Sequence, residues 1–134
     1  MLDTNTVSYY FRGVAPVVSR MLARSPTELG VSVVVVYELR TELLRMPAAA
    51  RRPRMGALET FLGSIQTVSF DLAAAEEAAM IAAELARRGE PIGPVDVLIA
   101  GAARAVGATL VTHNVREFSR VAGLSIENWF EVQE

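Results

Sequence analysis

The sequence predicts an α/β fold, with a central, mostly parallel sheet of four to five strands flanked by helices on both faces. Three observations lead there. Short apolar or β-branched runs alternate with longer stretches of helical spacing, the pattern of strand–helix–strand units. The joins carry helix-start residues (Asp3, Ser32, Asp71, Pro94) and helix-stop glycines (Gly13, Gly107). Finally, 134 residues suffice for one core but not for two ordinary domains, so residues 1–134 read as a single domain.

Taken in order, Met1-Leu2 is the end of a first strand, and Asp3-Thr-Asn5 turns it into a helix. That helix is expected to carry Val7, Tyr10 and Phe11 inward and to stop at Gly13. Ala15–Arg24 has helical spacing (Val17, Val18, Met21, Leu22), and Ser25-Pro26 breaks it. Leu29–Ser32 is a second strand. The four valines after it favour a strand by propensity, but Val34, Tyr37/Glu38, Thr41 and Leu44/Arg45 repeat at helical spacing behind the cap residue Ser32. A helix to Met46 is therefore expected, ended by Pro47, with another over Arg54–Gly63. Ile65–Phe70 is a third strand, and Asp71 opens an alanine-rich helix to Arg88. Gly89–Gly93 turns into a helix over Pro94–Val106, where Pro94 sits in the first turn without needing its N–H. Ala108–Thr112 and Leu124–Asn128 complete the sheet.

Composition narrows the chemistry. Hydrophobic residues make up 51% of the chain and the mean hydropathy is +0.31, values of a compact fold rather than a disordered one. The best apolar run, Val31–Tyr37, stops at Glu38, far short of a membrane span. Asp3 interrupts the start and no basic leader precedes an apolar region, so a cytoplasmic protein is expected. With no cysteine and one histidine, His113, thiolate and polyhistidine metal sites are excluded. The net charge of −2 argues against a generic polyanion binder. All 13 basic residues are arginine, which suits phosphate, although codon bias explains that usage at least as well.

Three acids stand at element ends or on a buried helix face: Asp3, Glu38 and Asp96. A fourth, Glu117, follows the strand ending at Thr112. Acids far apart in sequence can converge at the carboxyl end of a parallel sheet. Carboxylates brought together repel unless a cation holds them, so the set reads as a divalent-metal site. Singly, Asp3 fits a helix cap and Asp96 a first-turn acid favoured by the helix dipole. Glu38 is harder to explain blandly, since it follows four valines on a face expected to be buried.

Four segments then take on meaning together: Met1-Leu-Asp-Thr-Asn5, Tyr37-Glu-Leu-Arg40, Pro91-Ile-Gly-Pro-Val-Asp-Val-Leu-Ile-Ala100 and Val111-Thr-His-Asn-Val-Arg-Glu-Phe118. In this order and spacing the chain resembles PIN domains, and more narrowly the VapC-type toxin ribonucleases of toxin–antitoxin pairs. The resemblance covers essentially the whole chain. It implies a PIN-like fold, Mg²⁺- or Mn²⁺-dependent endoribonuclease activity, a protein antitoxin and a homodimer. Asp3, Glu38 and Asp96 match the acids of the family's first three motifs. Where many relatives carry a fourth-motif Asp, this chain has Asn114, and Glu117 is the acid that the variant offers instead. Glu42 replaces a glycine of the Glu-Leu-Arg-x-Gly pattern. Whether one or two ions bind stays open; two would lie roughly 3.5–4 Å apart.

On this reading Asp3 and Asp96 are metal ligands, and Glu38 binds the metal or orients its water. Thr4, Asn5, Thr112 and Asn114 support ligands, metal waters or phosphate. A metal-activated water would cut single-stranded or looped RNA with the 3′-hydroxyl as leaving group; tRNA, rRNA and mRNA are all open as targets. Arg51-Arg-Pro-Arg54 is a phosphate contact or a solvated helix–helix turn. His113 reads as structural or solvent-exposed rather than a general base, and Tyr9, Tyr10, Phe11, Trp129 and Phe130 read as core or dimer contacts rather than base-stacking platforms. Asn114 in the acid's place keeps one competitor alive, a catalytically weak PIN-like module that binds RNA or protein. A phosphorylated-aspartate receiver is disfavoured because the chain has no lysine to pair with the phosphoryl group.

Overall fold

The computed structural model describes residues 1–130. Among them, five strand segments lie side by side and parallel. Strand β1 (Gly30–Ser32) pairs with β2 (Gln66–Val68), and β3 (Leu110–Val111) pairs with β4 (Ile126–Glu127). Leu2 joins the two pairs. Its N–H donates to the Gly30 carbonyl at 2.8 Å, and it bridges in parallel to Val111. The order is thus β2–β1–Leu2–β3–β4, with the earliest segment in the centre. Parallel neighbours cannot be joined by hairpins, so helices carry the chain from strand to strand.

Those helices are α1 (Thr4–Phe11), α2 (Ala15–Leu22), α3 (Val33–Leu44), α4 (Ala48–Ser64), α5 (Leu72–Arg87), α6 (Pro94–Ala105) and the short α7 (Val115–Phe118). Several start as their caps dictate. The Asp3, Ser32 and Asp71 side chains accept from the N–H groups of Thr6, Val34 and Ala74 respectively. Ser32 settles the four-valine ambiguity, because its hydroxyl takes an N–H that a continuing strand would have used elsewhere.

The core gathers Leu2, Val31, Val35, Leu110 and Val111 from the sheet centre and α3, together with Ile99, Ala100 and Phe118. Helix α5 buries Ala74, Ala78, Ile81 and Leu85 on one stripe, so its alanine-rich composition serves packing. Opposite it, a Cβ added at Gly101 of α6 would lie 2.6 Å from the Ala78 Cβ. Only glycine lets these two backbones approach so closely.

Some expectations shift. Helix α4 begins at Ala48 rather than Arg54 and runs through Pro53. The Arg51-Arg-Pro-Arg54 stretch is therefore an outward helical face and not a turn. Helix α3 ends at Leu44, two residues before the expected Met46. Phe11 is 43% exposed, reaching along the surface to the Phe61 ring at 5.4 Å instead of entering the core. The third strand shrinks from Ile65–Phe70 to Gln66–Val68, as an edge strand with one neighbour can. Helix α7 was not foreseen; a single turn carries too few residues to show a period.

Candidate active site

Asp3 follows Leu2 at the end of the central strand segment and is only 4% exposed. Its Oδ1 accepts the Thr6 N–H at 2.9 Å, and its own N–H donates to the Val111 carbonyl at 3.1 Å. Thr6 Oγ1 donates to the same carbonyl, which fixes α1 against β3. The cap reading of Asp3 is thus correct, and the cap leaves its second oxygen for other work.

Glu38 comes from the middle of α3 and is half-buried. Thr4 Oγ1, one residue beyond Asp3, donates to its Oε1. Asp96 lies in the first turn of α6, behind the N-cap Gly93. A Cβ at Gly93 would stand 3.2 Å from Asp96 Oδ2, so the glycine gives that carboxylate room. Glu117, on α7, receives the Asn114 Nδ2–H at 3.0 Å.

Asp96 lies within electrostatic reach of the other three acids. The Asp96 carboxyl is raised from 3.8 to about 6, first by burial and then by the charges of Glu38, Glu117 and Asp3. Negative groups from the strand end, α3 and α7 thus act on the acid of α6.

The supporting residues divide. Thr4 and Asn114 each donate a hydrogen bond to an acid, Glu38 and Glu117 respectively. Thr112 is fully buried and its hydroxyl accepts the Asn114 N–H at 2.9 Å, so it shapes the turn after β3. Asn5 is exposed and stands outside this hydrogen-bond set. Glu42 lines a separate groove of about 670 Å³ with Phe11, Arg12, Leu39, Leu43 and Leu58. Two contributors escaped sequence reasoning: Gly93, hidden in a Pro/Gly-rich turn, and Thr6, one of three threonine or asparagine residues crowding the first helix.

The donor set is all hard oxygen, with no sulfur and no nearby lysine, as a small divalent cation requires. Among the described residues, however, no three of these groups already stand in ion-holding geometry. Thr6, Thr4 and Asn114 donate to Asp3, Glu38 and Glu117 respectively.

Comparison with known proteins identifies the family. The PIN domain family model matches residues 1–124, so the chain belongs to the PIN-domain family. Several curated relatives that match nearly the whole chain are named VapC. The chain is 37% identical over 131 residues to the tRNA(fMet)-specific endonuclease VapC of Shigella flexneri, with 96% of both chains covered. It is 33% identical over 129 residues to its namesake from Salmonella typhimurium, again with 96% of each covered. Among solved structures, DNA-bound VapBC from Salmonella typhimurium superposes with a TM-score of 0.88 at 33% identity, over 96% of each chain.

Proposed function

We propose that this protein is a Mg²⁺- or Mn²⁺-dependent endoribonuclease acting as the toxin of a toxin–antitoxin pair in the cytoplasm. The observation that supports the reading is that Glu38, Glu117 and Asp3, from three other elements, act on the half-buried Asp96. The names of its relatives support RNA as the substrate class, and tRNA in particular.

Asp3, Asp96 and Glu38 would hold the cation, which when bound supplies Lewis acidity and a water nucleophilic near neutral pH. The chain's own residues prepare the rest. The Thr6 N–H fixes the rotamer of Asp3, the Thr4 hydroxyl orients Glu38, and Asn114 orients Glu117 toward the same cluster. A phosphodiester is repelled by four bare acids, so their partial neutralisation, by proton or cation, is a condition for binding. Unpaired RNA is favoured because a splayed backbone can bend over a recessed cluster.

The groove between α1, α3 and α4, with apolar walls and Arg12 and Arg54 at its edge, suits an extended or helical antitoxin segment laid across the mouth. Solved relatives are toxin–antitoxin complexes, which supports that partner. A homodimer is part of the same reading.

The test is RNA cleavage with Mg²⁺, with Mn²⁺ and with EDTA, for the wild type, Asp3→Asn and Asp96→Asn. Turnover that needs the metal and is lost in both variants is the expected result. Metal-independent RNA binding without turnover would instead establish the non-catalytic module that Asn114, in the acid's usual place, keeps in contention.

A further inference from the structure

Beside the acids, three ring side chains from distant parts of the chain meet at the surface. Tyr9 comes from α1, His113 from the turn after β3, and Phe130 from beyond β4. The Phe130 ring centroid lies 4.8 Å from that of Tyr9 and 4.2 Å from that of His113. Tyr9 and His113 are 6.1 Å apart and edge-on. Asn128 ties the Phe130 backbone and the His113 ring together. Its amide oxygen accepts the Phe130 N–H at 3.0 Å, and its amide nitrogen lies 3.3 Å from His113 Nδ1. His113 and Phe130 are exposed and Tyr9 is half-buried, so ring surface stays open to solvent. The Arg12 guanidinium stands 5.5 Å from the Tyr9 ring centroid, adding a positive charge at the edge of this ledge.

Its position gives it meaning. His113 sits between Thr112 and Asn114, and Asn114 holds Glu117; adjacent Cα atoms are only about 3.8 Å apart. Tyr9 rides on the helix that Asp3 caps and whose Thr4 bonds Glu38. Tyr9 and His113 thus lie on the two stretches of chain whose Thr4 and Asn114 hold Glu38 and Glu117. A packing role does not call for clustered rings left open to water. A cluster of exposed rings fits a flat, apolar ligand.

We propose that Tyr9, His113 and Phe130 form a stacking ledge for one unpaired nucleobase next to the phosphate at the acid cluster, with Arg12 supplying charge for a neighbouring phosphate. This rests on the ribonuclease reading above. The chain carries a net charge of −2 and repels phosphate most strongly at the cluster itself. Attraction for the strand must come from elsewhere, and stacking supplies it without charge. Every base has a π-face, so the ledge favours unpaired over duplex RNA without reading sequence.

Wild-type digestion of a fluorescein-labelled RNA stem–loop locates the cut. The same loop is then made with a single abasic nucleotide at each position around that cut. For the wild type, one abasic position should raise KM roughly 5- to 150-fold, the range for losing one base–ring stack. Tyr9→Leu and His113→Ala should raise KM on intact RNA by a comparable factor and no longer respond to that abasic position. Tyr9→Phe, which keeps the ring, should behave as wild type. Variants that merely damage the fold would lower activity on both RNAs and retain the abasic penalty, and that result overturns the ledge while leaving the nuclease intact. So does retention of the penalty together with lost affinity for the antitoxin, which would assign the rings to the protein interface. A wild-type protein that cuts no RNA overturns both readings.

Discussion

Replacing Asp96 with asparagine should make the metal-free protein more stable at neutral pH. The Asp96 carboxyl is raised from 3.8 to about 6 by burial and by three neighbouring acids. Each pKa unit corresponds to about 1.36 kcal/mol, which puts a ceiling of about 3 kcal/mol on the cost of ionising it in the folded state. The group is only partly buried, and solvent screening reduces the figure to about 1–2 kcal/mol. The start of α6 favours an anion by about 0.3–1 kcal/mol, which the variant forgoes. A net gain of about 1 kcal/mol remains.

The sign with pH follows from linkage. Below pH ~4 the carboxyl is protonated in both folded and unfolded chains and contributes nothing. As pH rises from ~4 to ~6, the unfolded chain ionises while the folded one resists, so stability falls; above ~6 the loss is complete. Urea unfolding in EDTA between pH 4 and 8 should show this decline in the wild type and a smaller one in Asp96→Asn. With Mg²⁺ at 100 times its Kd, the wild type should gain about 2.7 kcal/mol, and the variant clearly less. An Asp96→Asn protein that is equally or less stable than wild type at pH 7.5 in EDTA, with an unchanged pH profile, would refute the reasoning.

Other perturbations have equally definite outcomes. Thr4→Val removes the donor to Glu38 and should lower kcat roughly 10- to 100-fold, with the thermal midpoint little changed. Glu117→Gln should lower turnover by a similar roughly 10- to 100-fold factor and move the Asp96 carboxyl back toward its ordinary value, read by carboxyl NMR titration; unchanged turnover would remove Glu117 from the site. Gly101→Ala should destabilise the protein by about 1–3 kcal/mol in calorimetry, because the added carbon collides with Ala78. That outcome opposes the roughly 1 kcal/mol that alanine gains over glycine in an open helix.

The sequence by itself determined the alternation of strands and helices, since each periodic run is bounded by a local cap or breaker. Asp3, Ser32, Asp71 and Pro94 act on backbone groups within one turn, so their effect needs no distant partner. It also singled out Asp3, Glu38, Asp96 and Glu117 as candidate acids, through segments that keep their order along the chain. Elsewhere the local signal misled. Pro53 and its arginine neighbours read as a turn, yet α4 passes through them, because packing of Leu58 and Phe61 further along stabilises the whole helix.

Only the tertiary structure decided what lies next to what. That Leu2 occupies the centre of the sheet, that Thr4 reaches Glu38, that Gly93 makes room for Asp96, and that Tyr9, His113 and Phe130 share one ledge are long-range facts. Sequence pattern reports which face of an element is apolar; it carries no record of the partner across the gap. The raised Asp96 carboxyl shows why. A first-turn acid that would sit unremarkably at its helix start in isolation has its carboxyl raised when the fold buries it and brings three like charges to bear on it.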